Sequence, residues 1–263
     1  MNLLLLILVV TLGFVATEEE PGAIELLDHR IVGGRNASIC DYPYQASVQY
    51  LGRHICGGVI IGPKWVITTA RCLVRFDVRD LKVRVGSSYW AFGGQLINIR
   101  KTYIHLMYNV SGLDYDIGLT ELDGEIKVPC ARPVTLPNPN TPIFPGSNGV
   151  VTGWGRTIEG GSLSSQLQVL YPFPILSPQV CCRAYGCPPF TERMVCAGII
   201  EGGKGVCHGD SGSPLVVNKV LIGLVSWGYG CARPNYPGVF TNVAAFISDF
   251  AKISGIQIEP KHE

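Results

Sequence analysis

Short apolar or alternating runs recur along the chain and are separated by glycine, proline and asparagine. The sequence contains 32 glycines and 18 prolines, which supply the many turns that a fold made of short strands needs. Runs of this length and composition predict the strands of an antiparallel barrel. They include Val59–Ile61, Leu81–Val85, Val150–Thr152, Leu215–Val217 and Leu221–Val225. We therefore expect an all-β protein.

The end of the chain breaks this pattern. Apolar residues recur there at helical spacing, with Asn242 as a candidate N-cap and Gly255 as a stop signal. The pattern predicts a terminal helix whose apolar stripe packs on the core, formed by Val243, Phe246, Ile247, Phe250 and Ile253.

Charge and the amino terminus limit the class of protein. The 263 residues carry a net charge of +1 and only 16% are charged, so nothing indicates a nucleic-acid or polyanion binder. The apolar run Asn2–Val15 is followed by Glu18, Glu19 and Glu20, which predicts a secretory signal peptide over 1–16. No later run reaches membrane-spanning length, so we expect a secreted protein with no membrane partner.

Ten cysteines in a secreted chain predict five disulfides. A zinc cluster is the competing interpretation, but Cys181-Cys182 lacks the usual Cys-x-x-Cys spacing and has no histidine pair nearby. We expect no metal and no cofactor. Asn36 and Asn109 each begin an Asn-x-Ser triplet, which is a glycosylation acceptor by pattern and also arises by chance.

The stretch Cys207–Pro214 (Cys-His-Gly-Asp-Ser-Gly-Ser-Pro) carries the clearest chemical signal. It places the hydroxyl of Ser211 on a turn too tight for bulky neighbours. The backbone N–H groups of Gly209 and Ser211 can then converge beside that hydroxyl, which is the geometry that stabilises the oxyanion of an acyl-transfer intermediate. A turn without chemistry is the alternative.

Together with Ile31-Val32-Gly33-Gly34, which follows Arg30, this stretch resembles the trypsin-like (chymotrypsin-fold) serine protease family. Further motifs occur in family order: Pro43-Tyr44-Gln45, Cys56-Gly57-Gly58, Trp65-Val66-Ile67-Thr68, Gly153-Trp154-Gly155 and Ser226-Trp227-Gly228. The resemblance covers Ile31 to about Gly255. It implies a protease domain over 31–263, built from two six-stranded antiparallel β-barrels with the active site between them and a C-terminal helix.

The resemblance also implies a propeptide over 17–30 and a mode of activation. Cleavage after Arg30 would free the amine of Ile31, which would form a buried ion pair with Asp210 and order the oxyanion turn. The calcium loop of vertebrate trypsins falls within residues 81–112, where this chain has no Asp or Glu. Calcium needs carboxylate oxygens, so we expect no calcium site.

In the family, a serine, a histidine and an aspartate form the catalytic triad. The resemblance assigns Ser211 as the nucleophile and Asp116 as the aspartate, with Asp114 as the weaker candidate. The histidine position, in Thr68-Thr69-Ala70-Arg71-Cys72, is occupied by Arg71. A guanidinium is protonated at neutral pH and cannot serve as a general base. We expect Arg71 to form a salt bridge with Asp116 instead.

No other histidine is clearly placed to replace the base. His208 precedes Ser211 and is expected to be a solvated side chain on the pocket rim, since no carboxylate that could orient it is apparent. His54 precedes Cys56 and is expected to hydrogen-bond structurally. The remaining histidines lie in the propeptide or outside any motif: His29, His105 and His262.

The resemblance places the specificity pocket between the segment before Ser211 and the Ser226–Gly228 strand. The residue six before the nucleophile is aspartate in trypsins and Gly205 here. With Val206 beside it, the pocket is expected to be apolar, and Lys204 argues against a cationic ligand. Ser213 replaces a glycine of the family pattern, which we expect to strain the turn. The remaining pocket walls are predicted to be His208, Trp227, Gly228 and Gly238.

Six cysteines match the common bridges of the family: Cys56–Cys72, Cys182–Cys196 and Cys207–Cys231. We expect the other four to form Cys40–Cys130 and Cys181–Cys187. An exchange of the roles of Cys181 and Cys182 stays open, since sequence does not determine connectivity.

The sequence resembles arthropod trypsins, the group 3 mite allergens and the inactivated protease paralogues of the scabies mite. Because Arg71 replaces the base, we predict a secreted, monomeric pseudoprotease rather than an enzyme. It would act by binding a protein partner, such as a host complement component or the substrate of an active relative. A weak or unusual serine endopeptidase that uses His208 or a group of the substrate is the alternative, and a nutritive gut protein is a third.

Overall fold

The computed structural model describes residues 31–139 and 141–258. The predicted signal peptide (1–16) and propeptide (17–30) lie outside the described residues, and so do His29, Arg30 and His262. The described elements, in chain order, are β1 (Arg35–Asn36), β2 (Gln45–Tyr50), β3 (Arg53–Gly62), β4 (Trp65–Thr68), β5 (Leu81–Val85), β6 (Gln95–Ile104), β7 (Gly118–Leu122), β8 (Asn148–Gly153), β9 (Gln168–Pro174), α1 (Pro178–Tyr185), β10 (Met194–Ala197), β11 (Pro214–Val217), β12 (Val220–Trp227), β13 (Gly238–Asn242) and α2 (Ile247–Ser254).

The first half of the chain closes into a six-stranded barrel with the order β2-β3-β4-β7-β6-β5. Strand β5 shows why these residues form a barrel: Leu81, Val83 and Val85 are buried, and the residues between them are half-buried. Alternation with a period of two buries one face of a strand and leaves the other facing outward. The inward side chains form a continuous apolar core.

The second half forms a seven-stranded antiparallel sheet with the order β1-β9-β8-β11-β12-β13-β10. Six of these strands follow residue 147, and β1 joins them from the amino-terminal segment by pairing Arg35 with Val169. Apolar residues of both halves and of α2 share one core, in which Val59, Leu221 and Phe250 are buried. The predicted fold class, an all-β protein of two barrel-like sheets with a C-terminal helix, is confirmed. The second sheet has seven strands rather than the predicted six, because β1 joins its edge.

The terminal helix differs in detail from its prediction. Asn242 leads into a single 3₁₀ turn over Val243–Ala245, and α2 begins only after Phe246, so the Asn242 side chain does not cap it. Gly255 ends the helix in the left-handed region (φ 70°), as predicted. Ile253 is 41% exposed and lies outside the buried stripe.

All ten cysteines form disulfides, and two pairings differ from those expected. Cys40–Cys130, Cys56–Cys72 and Cys207–Cys231 are present. The remaining bridges are Cys181–Cys196 and Cys182–Cys187, so the roles of Cys181 and Cys182 are exchanged. Successive helical residues point about 100° apart, and in α1 the buried residue is Cys181, which packs against β10.

Within the ranges described, no helix is long and apolar enough to cross a membrane.

Candidate active site

Ser211 lies in the turn that leads into β11. Gly209 (φ 99°) and Gly212 (φ 80°) adopt backbone conformations that favour glycine. The N–H of Gly212 donates to the carbonyl of Val225 at 2.8 Å, whereas the N–H groups of Gly209 and Ser211 have no acceptor in the described parts of the chain. These two N–H groups are the pair predicted to hold an oxyanion, and they are free to receive one.

His54 supports this turn from the protein interior. Its Nε2–H donates to the carbonyl of Gly209 at 2.9 Å, and its Nδ1 accepts from the hydroxyl of Ser47 at 2.8 Å. Burial lowers the pKa of His54 to about 4, so the ring is neutral at physiological pH. Both ring nitrogens are occupied, and His54 holds the nucleophile turn without facing the reaction centre.

Asp210 is the second interior support. Its Oδ1 accepts from the N–H of Gly155 at 2.8 Å, and its Oδ2 accepts from the N–H of Cys207 at 3.0 Å. Burial raises the pKa of Asp210 to about 7. Ile31 is also fully buried, and the next residue, Val32, accepts a hydrogen bond at 2.9 Å from the N–H of Gly205 in the pocket segment.

Arg71 occupies the position of the expected base and pairs with Asp116. The backbone N–H of Arg71 donates to Asp116 Oδ1 at 3.0 Å, and its Nε donates to Oδ2 at 3.0 Å. The hydroxyl of Ser226 donates to the same Oδ2 at 2.7 Å, and the Asp116 side chain is fully buried. The predicted salt bridge is therefore present, and it uses only one of the five guanidinium N–H donors.

Asp114, the weaker candidate for the aspartate, has a different partner. Its carboxylate accepts from Arg193 Nη2 at 2.7 Å and from Arg193 Nε at 3.0 Å. The same guanidinium lies over the ring of Tyr115, 4.5 Å from its centroid. Asp114 thus ties the segment before Asp116 to the second half of the molecule and takes no part in the reaction centre.

A cavity of about 210 Å³ opens beside Ser211 and contains all the predicted pocket residues. No carboxylate is among the described residues that line it, whereas Arg71 and Lys204 both contribute positive charge. Two further lining residues were not predicted: Val225, which directly precedes Ser226 in β12, and Tyr236, which lies on a separate segment. The predicted lining residues are Gly205, Val206, His208, Ser226, Trp227, Gly228 and Gly238.

His208 is exposed and lines the same cavity as Ser211. The Glu159 carboxylate, on another loop, pairs with Arg233 at 2.8 and 2.9 Å, and these hydrogen bonds lower its pKa. Both of its oxygens are occupied by Arg233, and the expectation that no carboxylate orients His208 stays a prediction.

Ser213 does not strain the turn in the way that the sequence suggested. Its backbone φ is not positive, so a side chain is tolerated there. Its buried hydroxyl instead has no hydrogen-bond partner in the described residues. An unpaired buried hydroxyl costs about 1–3 kcal/mol.

The two predicted glycosylation sites are exposed. Asn36 accepts a hydrogen bond from Gln168 at 2.9 Å, and Asn109 accepts from the N–H of Ser111 at 3.0 Å. Their modification stays a prediction.

Comparison with known proteins gives consistent matches over most of the chain. The family model described as Trypsin matches residues 31–248. A trypsin of Phaedon cochleariae is 41% identical over 82% of this chain and 85% of its own length. Trypsin 5G1 of Aedes aegypti is 42% identical over 86% of each chain. The vitellin-degrading protease of Bombyx mori is 42% identical over 83% of each chain.

These comparisons contradict the prediction that the chain is not an enzyme. Relatives at 41 and 42% identity are named trypsins or proteases. The prediction depended on one substitution, Arg71, and that substitution leaves the nucleophile, the oxyanion donors and the cavity in place. The narrower resemblance to mite paralogues stays a prediction, since the relatives described above come from insects.

Proposed function

Because the chain belongs to the trypsin family of serine proteases, we propose that it is a secreted serine endopeptidase with a non-standard base. The observation that carries this proposal is the position of Ser211 beside two free N–H donors, at the mouth of a cavity. This arrangement supplies the nucleophile, the oxyanion site and the substrate pocket of an acyl-transfer enzyme.

The reaction follows from these groups. The Ser211 hydroxyl oxygen attacks the carbonyl carbon of the substrate, and the N–H groups of Gly209 and Ser211 stabilise the resulting oxyanion. The serine proton moves to a base and then to the leaving amine as the C–N bond breaks. Water then attacks the acyl-enzyme in the same way, which releases the acid and restores the hydroxyl.

The base is the unusual part. Arg71 stays protonated and cannot take the serine proton. We assign this role to His208, because it is the one histidine among the described residues that line the cavity with Ser211. Loss of the triad histidine in a comparable enzyme lowers kcat by about 10⁶, while the oxyanion site and binding retain about 10³–10⁴ over water. We therefore expect slow turnover.

The preferred substrates carry an apolar residue on the acyl side of the cleaved bond. The pocket has Gly205 where a trypsin has a carboxylate, and Val206, Val225 and Trp227 line it. Lys204 and Arg71 disfavour a cationic side chain. Protein or peptide substrates of this kind are the partners that we propose for this cleft.

We also propose that residues 1–16 direct secretion and that cleavage after Arg30 removes residues 17–30. The mature protein would then begin at Ile31, which is already buried beside the pocket segment.

The experiment uses the protein cleaved after Arg30. Ser211 is labelled with a fluorophosphonate, and hydrolysis is measured for matched peptide esters that end in phenylalanine or arginine. We expect slow labelling, turnover of the phenylalanine ester only, and no signal from Ser211→Ala. Loss of turnover in His208→Ala supports the assigned base, and unchanged turnover in that variant shows that another group takes the proton. A wild-type protein that neither labels nor turns over either ester would contradict the proposed function.

A further inference from the structure

Arg71 brings unused hydrogen-bond donors to the reaction centre. Its Nε is bound to Asp116, whose two oxygens already accept three hydrogen bonds. Its Nη2 is buried and has no partner in the described residues. A buried charged donor without an acceptor is unfavourable, so this group favours any ligand that supplies an oxygen.

The surroundings of Arg71 favour a negatively charged ligand. Arg71, Ser211 and Lys204 line one cavity, and none of its described lining residues is a carboxylate. The free N–H groups of Gly209 and Ser211 lie in the turn beside the same cavity. Unpaired hydrogen-bond donors of two kinds, guanidinium and backbone N–H, therefore belong to residues in or beside the cavity that Ser211 lines.

Apolar side chains also line the cavity. Val206, Val225 and Trp227 line it, and Gly205 supplies no side chain that could oppose an apolar group. A ligand that satisfies both regions carries an anionic group directly next to an apolar side chain. The terminal residue of a peptide with a free α-carboxylate has this chemistry.

We propose that the cavity is a receptor for the carboxyl terminus of peptides that end in an apolar residue. The apolar side chain occupies the pocket. One carboxylate oxygen accepts from the N–H groups of Gly209 and Ser211, and the other accepts from the Nη donors of Arg71. Charge-assisted bonds of this kind are stronger than neutral ones. A peptide acid of this kind is also the acid product of the proposed peptidase reaction, but its binding requires no turnover.

The test separates binding from chemistry by using protein that is cleaved after Arg30 and carries Ser211→Ala. Calorimetry at pH 8 compares N-acetyl-Ala-Ala-Phe as the free acid with the same peptide as its carboxamide. We expect the acid to bind at least about tenfold more tightly than the amide. Equal binding of the two peptides, or binding of neither, would overturn the proposal.

Two further variants in the same background identify the residue responsible. Arg71→His introduces the residue of the family pattern, neutral at pH 8, and we expect it to reduce the preference for the acid to less than about twofold. Arg75→His removes the same charge from an exposed side chain outside the cavity lining and should keep the full preference. A preference that survives Arg71→His refutes the role of Arg71. Absence of turnover in the wild type leaves this inference unaffected.

Discussion

The nucleophile turn (residues 208–214) and the base segment (residues 68–72) face the same cavity but depend on different parts of the chain. The turn is held by backbone hydrogen bonds, by the buried His54 and Asp210, and by the Cys207–Cys231 disulfide. In the base segment, proton transfer depends on a single side chain, the one at position 71. An oxyanion site made of main-chain groups therefore persists when the proton acceptor of the neighbouring segment is replaced.

The base segment has nevertheless kept its structure. Arg71 donates through its backbone N–H and its Nε to the two oxygens of Asp116, and the Ser226 hydroxyl donates a third hydrogen bond to the same carboxylate. These bonds satisfy a fully buried charge, which would be costly to leave unpaired. Structural stability and proton transfer have thus been separated at this position.

The largest effect should come from restoring the family residue at position 71. We expect Arg71→His to raise kcat/KM for an apolar ester by at least about 10³, because a base is returned to an intact nucleophile turn. Steady-state kinetics on protein cleaved after Arg30 measures kcat/KM, and the double variant Arg71→His/Ser211→Ala is the control that should show no turnover. An unchanged rate would show that the nucleophile turn cannot support catalysis even when a base is present. The difference in activity could then not be assigned to the base segment alone.

The next effect concerns the buried carboxylate under the turn. In the uncleaved chain the folded pKa of Asp210 is about 7, above the ordinary value near 4, so the folded state binds more protons than the unfolded state between these values. The stability that Asp210 contributes is fully present below about pH 4 and is lost as the pH rises through 7, by up to about 4 kcal/mol. Urea unfolding of wild type and Asp210→Asn between pH 4 and 7.5 measures the difference.

His54 titrates with the opposite sign over part of that range, because burial lowers its pKa to about 4. It is present in both proteins, so its effect cancels in the comparison. Cleavage after Arg30 should abolish the difference in slope, since the new amine of Ile31 would pair with Asp210. A pH-independent difference in the uncleaved chain would show that Asp210 is ionised throughout.

A smaller loss is expected from His54→Ala. This change leaves the Gly209 carbonyl without its donor and the Ser47 hydroxyl without its acceptor, although Ser47 Oγ still accepts from Gln49 Nε2 at 3.3 Å. We expect about 3 kcal/mol of destabilisation and slower labelling of Ser211. Urea unfolding measures the loss. The exposed His208→Ala is the matched control for stability and should change it by less than about 0.5 kcal/mol. Equal losses in the two variants would show that the turn does not depend on its interior support.

The smallest effect is expected at Asp114, which anchors the segment before Asp116. Arg193→Gln removes two hydrogen bonds to Asp114, but both side chains are partly exposed, at 24 and 19%. We expect a loss of about 1 kcal/mol in urea unfolding. Glu192→Gln, which changes a largely exposed neighbour, should be close to neutral. A loss of stability as large as that of His54→Ala would show that the segment before Asp116 depends strongly on its ion pair with Arg193.

An all-β fold and a tight turn at Ser211 were predictable from local patterns, namely strand alternation and the glycines around the serine. The two-sheet architecture and the pairing of Arg71 with Asp116, 45 residues away in the chain, were predicted from the family resemblance, which assigned both positions. A buried carboxylate then requires a positive partner.

Other features were decided only by the tertiary structure. The orientation of α1 places Cys181 rather than Cys182 in the bridge to Cys196, and the packing of distant loops pairs Glu159 with Arg233. Asp114 forms an ion pair with Arg193, and the buried hydroxyl of Ser213 has no hydrogen-bond partner in the described residues. These contacts join segments far apart in the chain. Their geometry depends on how the two halves pack, which no local pattern specifies.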